Sequence, residues 1–441
     1  MNKSNKSNKL YKKYNLYLKY LSNKYFIKNL DLEFLLRILS TIIEFIEENI
    51  LQIIYVDLYN NIYNYCYELL YSEFIDNNVL ENIYNISYEE SITLLNNYLN
   101  IGISFAYKYI IPKRSYKKSY IRKIKQDNIN ISNKLNKLKE IIQPEQRTDE
   151  WYIFRNSTLT ASNIWKIFST EYTQTQLILE KCEPLDINKF KVTNTNSPLH
   201  WGQKYEPVSI LYYEYINKTK VSEFGCIPHS IYSYIAASPD GIVCDASSNL
   251  YGRMLEIKNV VSRVITGIPK MEYWIQMQLQ MEVCDLNECD FLETKFIEYS
   301  SYEEYIEDKE DKLKGIIYQY LKNNEPYYEY APIKINDIES EDFKVWENEI
   351  KEKNKNLEFI NTIYWKLDVI SCVLVLRNKY WFKKIQPLIE CFWDNLIEER
   401  ETGKYKERIP KKRKLASEEY KNKSNLPKKS GCLIDASLFN K

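Results

Sequence analysis

An α/β fold follows from three observations on this chain of 441 residues. Apolar residues recur at helical spacing through residues 30–99, as Leu35, Ile38, Leu39, Ile42 and Ile46 show. Two later segments, 253–261 and 290–299, alternate their side chains in the manner of strands. Helical patterns at 200–216, 271–284 and 380–399 interleave with them instead of being segregated.

Composition narrows the class. The chain is long enough for two or three domains with cores of their own. A formal net charge of +1 gives no whole-molecule argument for nucleic acid, so any such case rests on local patches. The 40 Tyr and nine Gly, with abundant Asn, Ile and Lys, point to an AT-rich coding genome and say nothing of mechanism. Nine cysteines without a CxxC pair, and no signal peptide, read as reduced intracellular thiols and argue against a zinc site. No apolar run approaches about eighteen residues, so no membrane span is expected. His200 and His229 are the only histidines. Catalysis would therefore run on carboxylates, lysine and a metal, away from Ser-His or Cys-His couples.

Taken in order, residues 1–25 are rich in Lys, Asn, Ser and Tyr and read as frayed. A small helical unit follows to about residue 99. The run Lys113-Arg114-Ser115-Tyr116-Lys117-Lys118-Ser119-Tyr120-Ile121-Arg122-Lys123 is basic with interleaved aromatics. It either touches a phosphate backbone or forms a solvated linker. From Gln146 the character changes. Arg147-Thr148-Asp149-Glu150-Trp151 leads into a helix around 152–156. Thr160-Ala161-Ser162 reads as an N-cap before a second helix over 163–168. The 200–216 helix either tolerates Pro207 or kinks there. Residues 234–237 begin a β-rich part. Residues 300–362 are charged and Tyr-rich, look like an insertion, and carry a predicted helix over 305–321. Residues 369–376 suit a buried strand. The tail after Gly403 is basic. Its Pro410-Lys411-Lys412-Arg413-Lys414-Leu415 fits nuclear import or a generic DNA-holding tail equally.

The most informative stretch lies between Asp240 and Lys258. Ser238-Pro239-Asp240-Gly241 is a tight turn in which Pro239 and Gly241 restrict the backbone. The following strand carries Leu255-Glu256-Ile257-Lys258, with Glu256 and Lys258 on one face. A hairpin of this length folds Asp240 back against Glu256, so two carboxylates and an ammonium converge. Carboxylate oxygens suit a hard cation such as Mg²⁺, which makes hydroxide from water and polarises a phosphoryl oxygen. The adjacent lysine would stabilise developing negative charge. Either motif alone is more often a turn or a solvated ion pair.

With its flanks the stretch resembles a known family. The pieces are Arg147-Thr148-x-x-Trp151, Arg155, Thr160-Ala161-Ser162, Trp201-Gly202-Gln203-Lys204-Tyr205-Glu206, the two motifs above, and Tyr273-x-x-Gln276-x-Gln278. In this order they are similar to the lambda-type exonuclease, or YqaJ viral recombinase, family of the PD-(D/E)XK nucleases. The resemblance spans residues 146–299, and 369–399 look like the family's last strand and helix. It implies a restriction-endonuclease-like mixed sheet flanked by helices. It implies metal ligands at Glu206, Asp240 and Glu256, with the Ile257 carbonyl as an added oxygen, and Mg²⁺ (or Mn²⁺) as cofactor. Lys258 would be the catalytic lysine, Gln276 would support the site, and Arg155 and Ser162 would hold a DNA 5′-phosphate. The family's second basic side chain in that pocket is absent. Ser169-Thr170-Glu171-Tyr172 stands there, and Lys166 is the nearest substitute.

The expected organisation is a helical region with basic linker (1–140), a nuclease domain (141–400, insertion 300–362) and a basic tail (401–441). The expected activity is removal of one strand of duplex DNA, 5′ to 3′, in viral DNA recombination or repair. Carried by resemblance alone are a trimeric ring and a single-strand-annealing partner. An intracellular location, in the host nucleus or at a viral replication site, follows from the tail. An endonuclease or flap nuclease, and a DNA-binding scaffold with a spent site, remain as alternatives.

Overall fold

The computed structural model describes residues 29–409 apart from 56, 118–126, 145–147, 188–193 and 336. Arg147, the frayed start and the Pro410–Leu415 tail motif lie outside the described residues.

Among the described residues four helices come first: α1 (Asn29–Glu48), α2 (Leu58–Phe74), α3 (Val79–Tyr84) and α4 (Tyr88–Tyr109), with a 3₁₀ turn at Ile50–Ile54. Leu35, Ile38, Leu39, Ile42 and Ile46, the residues at helical spacing, form the buried face of α1. Gly102 lets α4 press on that face, since a Cβ there would lie 2.8 Å from the Ile38 Cγ2. Ser87 caps α4 reciprocally with Glu90. The strand β1 (Tyr116–Lys117) and α5 (Asn128–Glu140) lead into the α/β part.

That part is α/β: a large mixed sheet and a small one, with helices packed on them. The elements are α6 (Asp149–Asn156), β2 (Leu159–Thr160), α7 (Ala161–Ile164), α8 (Glu171–Cys182), α9 (Pro198–Asn217), β3 (Val221–Ser222), β4 (Ile227–Pro228), β5 (Ile235–Ala237), β6 (Gly241–Val243), β7 (Met254–Asn259), α10 (Met271–Val283) and β8 (Glu288–Glu298). After them come α11 (Tyr302–Glu307), β9 (Lys314–Lys322), β10 (Glu325–Tyr330), α12 (Glu341–Lys353), β11 (Glu358–Leu376) and α13 (Lys379–Thr402). The large sheet runs β10-β9-β11-β8-β7-β6-β3, with β1 paired to β11, while β2-β5-β4 form a small one. The β7–β8 pair is parallel, with Glu256 opposite Phe291. The β6–β7 and β8–β11 pairs are antiparallel. One buried cluster includes Leu35 and Ile38 of the helical unit together with Trp274 and Trp381 of the α/β part.

Three expectations need correcting. The predicted helix over 305–321 is a short helix, α11, followed by β9. Ile316, Tyr318 and Tyr320 pack on one side of β9 and Ile317 on the other, a strand period that two apolar faces conceal. Gly315 admits the Trp365 indole, whose Cζ2 would sit 2.2 Å from a Cβ. Second, 369–376 is only the end of a 19-residue strand, β11. A register shift between Leu367 and Val369 turns Val369 and Ile370 outward, and Leu374 and Val375 alone are fully buried there. Third, the helix expected over 163–168 is one α-helical turn from Ala161, then a 3₁₀ turn. Thr160 holds the N-cap position and makes no side-chain cap bond.

Candidate active site

Asp240 sits at the entrance to β6, immediately before Gly241. A Cβ on Gly241 would lie 2.2 Å from the Val221 Cγ1, so only glycine lets β3 close on the turn. Closure of the β6–β7 hairpin brings the Asp240 Oδ2 to the Ile257 N–H, which donates at 2.6 Å. It is thus the Ile257 amide that meets Asp240. Glu256 is fully buried in β7. One of its oxygens accepts from the Lys258 ammonium and the other, at 2.7 Å, from the Gln280 Nε2. Gln280 also donates to the Ser238 carbonyl at 3.1 Å, which ties the turn to the strand. Lys258 lies 5.2 Å from the centre of the Tyr273 ring.

Burial pushes the Asp240 carboxyl well above its usual range, and the neighbouring charges of Glu256 and Glu206 push the same way. Lys258 and the Ile257 amide oppose them. For Lys258, burial pulls the ammonium down, but Glu256 and Asp240 overcome it and hold the group above its ordinary value.

Glu206 reaches the same cleft from α9. Ser197 caps α9 by accepting from the His200 N–H, with Pro198 in the first turn. The helix continues through Pro207. Two carbonyls just ahead of it accept side-chain bonds, Gly202 from Asn259 at 2.8 Å and Lys204 from Tyr330 at 2.9 Å. Asn259 Oδ1 also accepts from Ser209 and Thr294, so it couples the helix of Glu206 to the strand of Glu256.

A cleft of about 180 Å³ is lined by Asp240, Glu206 and Gln280 together with Trp151, Arg155, Ser162 and Gln276. The Arg155 guanidinium lies 4.4 Å from the centre of the Trp151 ring and donates to the Ser162 Oγ at 3.3 Å. The contact that holds it is this cation–π approach and the bond to Ser162. Thr148 caps α6 by accepting from the Trp151 N–H. Lys166, the candidate substitute for a second basic group, pairs with Glu180 at 2.7 Å and does not line the cleft.

The nearest buried cation behind Arg155 is Lys181, only 4% exposed, whose ammonium donates to the Arg155 carbonyl at 2.6 Å. Burial lowers its pKa to about 8, and Arg155, Lys166 and Arg400 add to the fall while Glu180 opposes it. The unfolded chain therefore keeps this proton up to about pH 10.5 while the folded one releases it near 8. Between those values the unfolded state binds more protons, so stability rises with pH, by about 3 kcal/mol from this group. Lys181→Met should abolish that rise in urea unfolding compared at pH 7.5 and 10; an unchanged slope would contradict it.

Sequence reasoning missed two members of the site, Gln280 and Asn259. Gln280 lies one turn beyond Gln276 on the same face, which was the available signal. Gln278 points elsewhere, bonding the Leu376 carbonyl and the Asn378 N–H where β11 meets α13.

The donor chemistry fits a hard divalent cation: Asp240, Glu256 and Glu206 offer oxygen ligands only, and Asp240 feels the charges of the other two. As the side chains stand, no three His, Cys, Asp or Glu among the described residues are gathered closely enough to ligate an ion. The Lys258–Glu256 pair holds one of the carboxylates. The eight described cysteines are all free. No helix among the described residues is long and apolar enough to cross a membrane.

Comparison with known proteins agrees with this region. Residues 150–287 match the model of the YqaJ-like viral recombinase domain. The chain is 31% identical over 339 residues to the uncharacterized protein R354 of Acanthamoeba polyphaga mimivirus, a stretch that is 66% of this chain and 58% of that relative's length. Among solved structures it is similar to an alkaline exonuclease (LHK-Exo) from Laribacter hongkongensis. The identity is 20% and the TM-score 0.34, over 59% of this chain and 97% of the other. The same figures hold for LHK-Exo in complex with dAMP. The turn at Asp240, the strand of Glu256 and Lys258, and Arg155 over the Trp151 ring all fall within the stretch, residues 150–287, that matches the YqaJ-like viral recombinase domain.

Proposed function

We propose that this chain is a divalent-metal-dependent nuclease that removes one strand of duplex DNA from its 5′ end, in recombination of viral DNA. The observation that supports it most is the cleft itself, where Asp240, Glu206 and the Arg155–Ser162 pair face one space and buried Glu256, paired with Lys258, is tied to its wall by Gln280. Asp240, Glu256 and Glu206 would hold Mg²⁺, which supplies Lewis-acid charge at the phosphate and lowers the pKa of water. The chain's own groups do the rest. Arg155, lying over the Trp151 ring, presents its fork to a terminal phosphate, and Ser162 adds a hydroxyl donor. Gln280 and the Ile257 amide keep Glu256 and Asp240 in place without reorganisation. Lys258 brings positive charge to the phosphoryl oxygens as negative charge grows on them.

The test uses linear duplex phosphorylated at the 5′ end of one strand, with Mg²⁺. Wild type should remove the phosphorylated strand and leave closed circular duplex intact. Lys258→Ala should be slower by about 10²–10³-fold. EDTA should stop digestion and added Mg²⁺ restore it. Retained DNA binding with no digestion of linear, nicked or flapped duplex would overturn the reading.

A further inference from the structure

The helix that faces the cleft is gripped at both ends by residues ahead of the recombinase domain. At its C-terminal end, Lys134 of α5 bonds both the carbonyl and the carboxylate of Asp285, each at 2.8 Å. A cation there suits the helix dipole. At the N-terminal end the contact is of another kind. Arg114 donates from Nε to the Pro269 carbonyl at 2.5 Å and from Nη1 to the Ile54 carbonyl at 2.6 Å. Its guanidinium lies 5.9 Å from the centre of the Trp274 ring, and its Nη2 is buried without a partner.

This arrangement is costly for Arg114. Burial brings its pKa down to about 10, though Glu272 opposes the fall, so the group remains charged at neutral pH. A cation at a helix N-terminus opposes the dipole, and a buried guanidinium held by carbonyls with one idle nitrogen pays desolvation for little return. What the fork achieves is geometric. Ile54, itself buried, ends the 3₁₀ turn of the helical unit, and Pro269 directly precedes Lys270, the N-cap of α10. The fork therefore ties the start of α10 to residues packed in the core. Within two turns α10 presents Tyr273, whose ring lies beside Lys258, and Gln276, which lines the cleft.

We infer that Arg114 is a positioning residue for cleavage: by fixing Pro269 from outside the recombinase domain, it fixes where Tyr273 holds Lys258. The inference rests on the nuclease reading above. Small misplacements at a reacting centre cost up to about 10²-fold in rate, so the first turn of α10 need not unfold for the effect to be large.

The experiment compares wild type, Arg114→Ala, Arg114→Lys, Tyr273→Leu and the double variant Arg114→Ala/Tyr273→Leu, with hydrogen exchange across α10. Arg114→Ala should lower kcat by about 10-fold or more with KM within about 2-fold, and should speed exchange in the first two turns of α10. Arg114→Lys, which keeps one carbonyl bond, should recover part of kcat. In the Tyr273→Leu background the Arg114→Ala effect should shrink, because the two act through one contact. An unchanged kcat, or a loss equal in both backgrounds and explained by the folded fraction alone, would overturn the inference. A wild type without nuclease activity would sink the functional reading instead, and the exchange data would still report whether Arg114 holds α10.

Discussion

Asp240→Asn should abolish cleavage, by about 10³-fold or more in kcat, while leaving the protein at least as stable as wild type. The amide oxygen keeps the bond from the Ile257 N–H, so the turn is retained. What is lost is a negative charge that burial, Glu256 and Glu206 all disfavour. Removing it relieves repulsion among the carboxylates and takes away a proposed metal ligand. Thermal melts make the two effects separable. Wild type should melt higher when Mg²⁺ is added, because a ligand that binds only the native state stabilises it. Asp240→Asn should lose most of that shift. Cleavage by this variant at more than a few per cent of the wild-type rate would remove Asp240 from the proposed ligand set.

Asp290→Ala should be among the most destabilising single substitutions in the sheet, by about 3–5 kcal/mol. Asp290 is fully buried in β8. It accepts from the Tyr213 hydroxyl at 2.7 Å and from the Arg253 Nη1 at 3.4 Å, while Arg253 is also held by Glu288 at 2.7 Å. Truncation leaves a buried phenol without its acceptor and an almost fully buried guanidinium with one carboxylate fewer. Asp290→Asn, which keeps an acceptor for Tyr213, should recover part of the loss. Urea midpoints for the three proteins would decide it, and a shift of less than about 1 kcal/mol for the alanine variant would show that the network relaxes around the gap.

The parts of the site that were legible in the sequence are those built from local rules. Pro239 and Gly241 mark the turn, strand alternation puts Glu256 and Lys258 on one face, and the hairpin length brings Asp240 to them. The α1 face was legible because its apolar residues keep helical spacing against a polar background. What escaped depends on how elements are placed in space. The bond from Gln280 to Glu256 requires α10 to cross β7 with a particular rotation, which no local pattern encodes. Arg114 reads as one more member of a basic run, yet its partners Ile54 and Pro269 lie 60 and 155 residues away. Arg253 and Asp290 look like ordinary strand-edge charges until the parallel β7–β8 pairing and α9 enclose them. β9 was misread because a strand buried on both faces loses the alternation that identifies it.

The length of β11 has a mechanical consequence. Its first half pairs with β9 (Glu358–Lys366) and its second with β8 (Trp365–Leu376), so a single unbroken backbone is a rung of both the β9–β10 hairpin and the central sheet. The two cannot swing apart about a hinge, because Trp365 and Lys366 pair with both neighbours at once. Tension or heat applied to the hairpin is passed directly to the strand beside Glu256. The 300–362 region should therefore unfold in the same cooperative step as the cleft, and a protease cut in its loops should leave the pieces associated.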